Sequence, residues 1–93
     1  MARRVGLGLI GLDHWYTAFG ILEEANKRAG VSLVAVADRS QKRLSEIEAN
    51  YNADYVTRDY RDVIADPRVE LVCSQVNTRD NVEVVRRALK AGK

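Results

Sequence analysis

Ninety-three residues, 46% hydrophobic and 30% charged, make one small domain with apolar surface enough for a single modest core. The net charge is +2, acids and bases are interspersed, and no basic stripe carries interleaved aromatics, which argues against a nucleic-acid partner. No apolar run approaches the roughly 20 residues of a membrane span, the N-terminus lacks a signal-peptide pattern, and the lone Cys73 fits a reducing compartment, so a cytoplasmic location without membrane contact is expected.

The chain alternates two patterns. Val5 to Leu12 is apolar without polar alternation, as a strand covered on both faces should be. Trp15, Ala18, Phe19, Leu22 and Ala29 then fall at helical spacing, and Gly30 is placed to end this helix in a left-handed cap. Val31 to Ala37 is a second apolar strand, stopped by Asp38. Ser40 can cap a second helix with Leu44, Ile47 and Tyr51 inward. Asp54 to Thr57 is a short, weak strand, and Asp59 can cap a third helix carrying Tyr60, Val63 and Ile64, broken at Asp66-Pro67. Val69 to Val76 is the fourth strand. Thr78 can cap a last helix with Val82, Val85, Ala88 and Leu89 inward, and Gly92 closes it. The late cluster Arg86, Arg87, Lys90 and Lys93 complements that helix's C-terminus.

Strands alternating with helices predict an α/β fold: a Rossmann-like parallel sheet of four strands, order 3-2-1-4, with right-handed crossovers and helices on both faces. Ligand space is expected beyond the carboxyl end of the first strand, where the order reverses.

Motifs over nearly the whole chain then narrow the reading. They are the opening strand Val5 to Gly11, Val34-Ala35-Val36-Ala37-Asp38-Arg39, Tyr60, Ile64-Ala65-Asp66-Pro67-Arg68-Val69-Glu70, and Ala88-Leu89-Lys90-Ala91-Gly92-Lys93. With these the chain resembles the amino-terminal half of the glucose–fructose oxidoreductase / inositol dehydrogenase / MocA family. The resemblance implies a Rossmann domain that binds NAD or NADP. In the family a Glu-Lys-Pro motif and a larger domain for a sugar, polyol or related substrate follow. The sequence stops at Lys93, before that motif. The resemblance therefore implies a cofactor domain with no catalytic residue of its own and no turnover alone.

A literal G-x-G-x-x-G match runs from Gly6 to Gly11, but Gly6 and Gly8 lie inside the strand, where small residues let a helix pack closely. The family's alignment starts the fingerprint at Gly11, which puts Asp13 at the second glycine position and Tyr16 at the third. Asp13 adds a negative charge where backbone normally approaches pyrophosphate and is expected to cap the first helix itself, so the phosphate loop is expected to be weakened and cofactor binding weak. Tyr16 is expected to push the helix off the strand or to face the cleft. The cofactor-binding candidates are Gly11, Leu12, Asp13, His14, Trp15, Asp38, Arg39, Asn77 and Thr78. Asp38, 27 residues after Gly11, suits hydrogen bonds from an adenosine ribose and favours NAD, or else it caps the next turn. Arg39 could meet a 2′-phosphate, which keeps NADP open. Asn77 and Thr78 could contact the cofactor, or Thr78 could simply cap; Asn81 stands where the family often has a histidine. Trp15 is expected in the core and His14 in ordinary loop packing. One histidine and one acid make no metal site.

Three functions compete: the dinucleotide domain of an oxidoreductase, a degenerate non-catalytic module for sensing or assembly, and a methyltransferase using S-adenosylmethionine. The Ala-Asp-Pro and Ala-Gly-Lys junctions argue against the last. An apolar fourth-strand edge, Leu71 to Val76, is also expected to pair with another copy of the chain.

Overall fold

The computed structural model describes residues 4–93. The elements run β1 (Val5–Ile10), α1 (Trp15–Lys27), β2 (Val31–Ala37), α2 (Gln41–Asn50), β3 (Tyr55–Thr57), α3 (Tyr60–Ala65), β4 (Leu71–Ser74) and α4 (Thr78–Lys90). The four strands form one parallel sheet in the order β3-β2-β1-β4, as the alternating pattern predicts.

The sheet separates two apolar clusters. Leu7, Leu9, Leu33 and Val36 meet Ala18, Leu22 and Ala25 of α1 and Leu44 and Ile47 of α2 on one face. Ile10, Val34, Ala35 and Ala37 meet Val63 and Ile64 of α3 and Val84 and Ala88 of α4 on the other. A strict period of two would place Val34 and Ala35 on opposite faces. The register shifts between Leu7/Gly8, from Leu7 opposite Leu33 to Gly8 opposite Ala35. Val34 is thereby the extra residue of a bulge, and both side chains serve one face. The strand glycines permit close approach: a Cβ on Gly8 would lie 2.4 Å from Val63 of α3, and one on Gly6 would meet the Arg68 carbonyl.

Several sequence expectations are corrected. β1 ends at Ile10 because Gly11 turns the chain at φ +85. Gly30 does not cap α1: the helix ends at Lys27, with Arg28 extended at φ −92. β4 is shorter than Val69–Val76, since the Val69 N–H is spent on the Asp66 carbonyl and Val76 folds over Gly11. Asn77, one residue before Thr78, caps α4 by accepting from the Asp80 N–H. α4 carries two apolar stripes. Val84 and Ala88 face the sheet, while Val82, Val85 and Leu89 are exposed. Periodicity alone cannot say which stripe meets the sheet. Trp15 is outside too, 54% exposed and stacked on Tyr16, because α1 docks through Ala18, Leu22 and Ala25.

The two junctions that carry the family resemblance touch each other. Asp66 holds its turn by accepting from the Arg68 backbone N–H (2.8 Å), the Arg68 guanidinium and the Tyr55 hydroxyl (2.8 Å). Gly92, at φ +77, ends α4 as the Gly92 N–H donates to Leu89 O and the Lys93 N–H to Ala88 O. That turn swings the Lys93 ammonium onto the carbonyls of Ile64 and Asp66 at 2.7 and 2.6 Å, past the end of α3.

The Arg68 hydrogen bonds hold the Asp66 carboxyl well below the usual carboxylate range, and burial with the Asp66 bond pushes the Tyr55 phenol up to about 12. A depressed acid stabilises the fold above its unfolded-state pKa and loses that contribution as protons reach it in the folded state. Stability is therefore expected to decline as the pH falls below about 4. Urea unfolding should show a shallower acid decline for Asp66→Asn than for the native chain.

Candidate functional site

A cleft lies at the carboxyl ends of the strands, where the strand order reverses between β1 and β4. Its volume is about 390 Å³, and its walls come from the carboxyl ends of β1, β2 and β4, the loop after β3 and the first turns of α2 and α4.

Gly11 forms the floor. Its φ of +85 belongs to glycine, and a Cβ there would lie 2.4 Å from Val76 Cγ1 and 2.8 Å from the Val76 nitrogen. The next N–H, from the buried Leu12, donates to Asp38 Oδ1 at 3.0 Å. Asp38 Oδ2 accepts from the Ser40 N–H at 2.9 Å. Asp38 is only 7% exposed and is the buried charged residue among the described residues. Two backbone donors and the Arg43 guanidinium, 3.5 Å away, offset its charge. The turn-capping reading of Asp38 is thus present in the geometry. Each carboxylate oxygen has a second acceptor direction that these bonds leave over, so capping does not preclude a ligand hydroxyl.

Asp13 does not cap α1. His14 occupies the cap position, and no side chain accepts from the helix's first turn. The Asp13 carboxylate turns across the cleft instead. Oδ2 accepts from the Asn77 N–H at 2.8 Å, and Oδ1 pairs with Arg43 Nη1 at 3.3 Å. The His14 N–H donates to the Gln75 carbonyl at 3.2 Å, so two bonds stitch the β1–α1 loop to the β4–α4 loop. The start of α1 keeps an uncapped positive end, with no acid in its first turn.

Opposite, Arg39 reaches over the cleft to Asp80 at 2.7 Å. The Asn77 amide, together with Arg39, holds the Asp80 carboxyl below the ordinary range. Asn81 is fixed by the Ser74 hydroxyl. Of the sequence-predicted residues, Gly11, Asp13, Asp38, Arg39 and Asn77 line the cleft, with Leu12 beneath it. His14, Trp15 and Thr78 do not line it, and neither does Tyr16, which is 72% exposed and does not separate α1 from the sheet. Sequence reasoning missed Arg43, Arg58, Asp80 and Glu83 as lining residues. A signal was available: strands in the order 3-2-1-4 bring every loop after a strand to one end of the sheet. Among the described residues no group of His, Cys, Asp and Glu could hold a metal ion, and no helix is long and apolar enough to cross a membrane.

A glycine turn of positive φ and a buried carboxylate at the end of β2, both at the cleft, fit a dinucleotide. Together with the sheet order they define a Rossmann-type nucleotide-binding domain. The chain belongs to the oxidoreductase family with the NAD-binding Rossmann fold, whose model matches residues 5–93. A nicotinamide dinucleotide, NAD by the family's description, is therefore the cofactor class. The chain is 36% identical over 93 residues to inositol 2-dehydrogenase/D-chiro-inositol 3-dehydrogenase of Lactiplantibacillus plantarum, covering 96% of this chain and 24% of that protein. Two solved structures show the same fold. Apo scyllo-inositol dehydrogenase from Lactobacillus casei superposes with a TM-score of 0.84 at 19% identity, over 100% of this chain and 28% of that one. Levoglucosan dehydrogenase in complex with NADH and L-sorbose gives 0.80 at 22%, over 98% and 26%. The chain thus spans about a quarter of the length of the proteins it matches.

Proposed function

We propose that residues 1–93 are the dinucleotide-binding domain of an NAD-dependent dehydrogenase acting on a sugar, polyol or related substrate, and that the substrate domain belongs to a longer protein. The bound nicotinamide would supply hydride transfer. This domain's residues bind and orient: Gly11 would face the pyrophosphate, Asp38 the adenosine ribose, and Arg39 and Asn77 would form the cleft walls. Leu12 fixes the Asp38 rotamer through its N–H. His14, Trp15 and Thr78 flank the cleft and are assigned no direct contact.

The observation that carries this reading is the buried Asp38 carboxylate at the cleft, held at both oxygens by backbone. It favours NAD, because a 2′-phosphate beside it would meet a like charge. Arg39, Arg43 and Arg58 in the same cleft favour the second reading, NADP. A non-catalytic sensor or assembly module is the third, supported by the Asp13 tie across the cleft. Calorimetric titration with NADH, NADPH and S-adenosylmethionine separates them: NADH alone or most tightly is the expected result, and no heat from any of the three removes the proposal.

We also propose that the outer edge of β4 pairs with a second copy of this chain. β4 bonds to β1 alone among the described strands, and Leu71 is 54% exposed. Concentration-dependent sedimentation that Leu71→Lys abolishes would support it, and a monomer at high concentration would end it. The single half-buried thiol of Cys73 and the cofactor class support a cytoplasmic setting.

A further inference from the structure

An acid at the second glycine position of a phosphate turn should repel a dinucleotide, yet the cleft around it is otherwise built for one. The resolution lies on α2. Arg43 sits one turn into that helix, where Ser40 caps it by accepting from the Arg43 N–H, so the side chain projects toward the carboxyl ends of the strands. Its Nη1 lies 3.3 Å from Asp13 Oδ1 and 3.5 Å from Asp38 Oδ1. One guanidinium thus stands between the two acids nearest the phosphate turn. The neighbouring cation Arg39 is committed to Asp80, and Arg58 donates to the Arg39 carbonyl.

We infer that Arg43 is the shared counter-ion that makes the acid-bearing turn compatible with an anionic cofactor. It is a positioning and specificity residue that acts through Asp13 and Asp38. Asp13 itself ties the loop after β1 to the start of α4 through the Asn77 N–H, while Arg43 offsets its charge. A glycine at position 13 would not supply that tie. The inference rests on the dinucleotide reading above.

Its test is a double-mutant cycle read by NADH binding. Asp13 and Arg43 side chains are 37% and 49% exposed, so solvent screens the pair and neither substitution removes core packing. Arg43→Met should weaken NADH about tenfold, short of the roughly thousandfold of a like charge in direct contact with the phosphate near the protein surface. Asp13→Asn, which keeps an acceptor for the Asn77 N–H, should bind as well as the native chain or severalfold better. In the Asp13→Asn background, Arg43→Met should cost only about threefold, the part that passes through Asp38. Equal losses in both backgrounds, or no loss from Arg43→Met alone, would overturn the inference while leaving the dinucleotide reading standing. A native chain that binds no NADH while its far-UV spectrum is intact would remove both. Arg43→Lys supplies a control: a point charge without the fork should recover part of the affinity, and full loss would deny that charge is the cause.

Discussion

Asp38→Ala should abolish measurable NADH binding and lower stability by about 2 kcal/mol, because it orphans a buried donor. Asp38 accepts from Leu12, whose side chain and N–H are buried, and from Ser40 at the start of the β2–α2 turn. With the carboxylate gone, the Leu12 N–H has no partner and cannot reach water cheaply. Arg43 also loses one of its two acids. Asp38→Asn separates the effects. The amide fills the same space and can keep its oxygen on the buried Leu12 N–H, while its NH2 faces the less buried Ser40 N–H, so unfolding should shift by about 1 kcal/mol, less than in Asp38→Ala. NADH affinity should still drop by about tenfold or more, since a neutral amide accepts more weakly from a ribose diol than a carboxylate does. NADPH affinity should fall less, because the charge that opposes a 2′-phosphate has been removed. Parallel calorimetric titrations of the two cofactors check this; an unchanged ratio would deny Asp38 its place at the ribose.

Gly6→Ala should be the most damaging single-methyl change in the chain, costing about 3 kcal/mol or more by overpacking. A Cβ on Gly6 would lie 1.8 Å from the Arg68 carbonyl oxygen and 2.9 Å from its carbon. Backbone cannot step aside as a side chain can. The turn that carries Arg68 is pinned by the Asp66 carboxylate, and the chain just beyond it is tied to Gly6 itself, whose carbonyl accepts from the Glu70 N–H at 2.8 Å. Relief would therefore break the junction between the amino ends of β1 and β4, at the opposite end of the sheet from the cleft. Gly20, exposed in the middle of α1 with nothing within 4 Å of a Cβ, makes the contrast. Gly20→Ala should stabilise by about 0.5–1 kcal/mol. Urea unfolding of the two variants beside the native chain tests both statements, and a Gly6→Ala midpoint near the native one would contradict the close approach.

The strands, the helices between them and the acid at the end of β2 could be read from the sequence because they are local. An apolar run without alternation, a turn residue and an acid at a strand's end each carry their own chemistry, and the strand order follows from the alternation of strand and helix. A helix close on a strand glycine was readable at Gly8, where Val63 of α3 sits, but not at Gly6, which meets the Arg68 carbonyl instead. What failed were choices that only tertiary contact makes. α4 has two stripes of comparable apolarity, and the sheet takes Val84 and Ala88. α1 docks through small residues, so its aromatic Trp15 stays outside. Asp13 stands at a helix start, but its carboxylate finds better partners in Arg43, 30 residues on, and in the Asn77 N–H, 64 residues on. Those pairs exist because the crossover brings distant loops together, and no local pattern announces them.

The proposed dinucleotide site is the cleft at the β1–β4 reversal. The most direct measurement is an amide-resolved NMR titration of the native chain with NADH. Saturable shifts of the Gly11, Leu12, Asp38, Ser40 and Asn77 amides are the predicted result. Saturable binding that leaves those amides unmoved, and instead shifts the polar groove around Asn26 and Asn52, would contradict it.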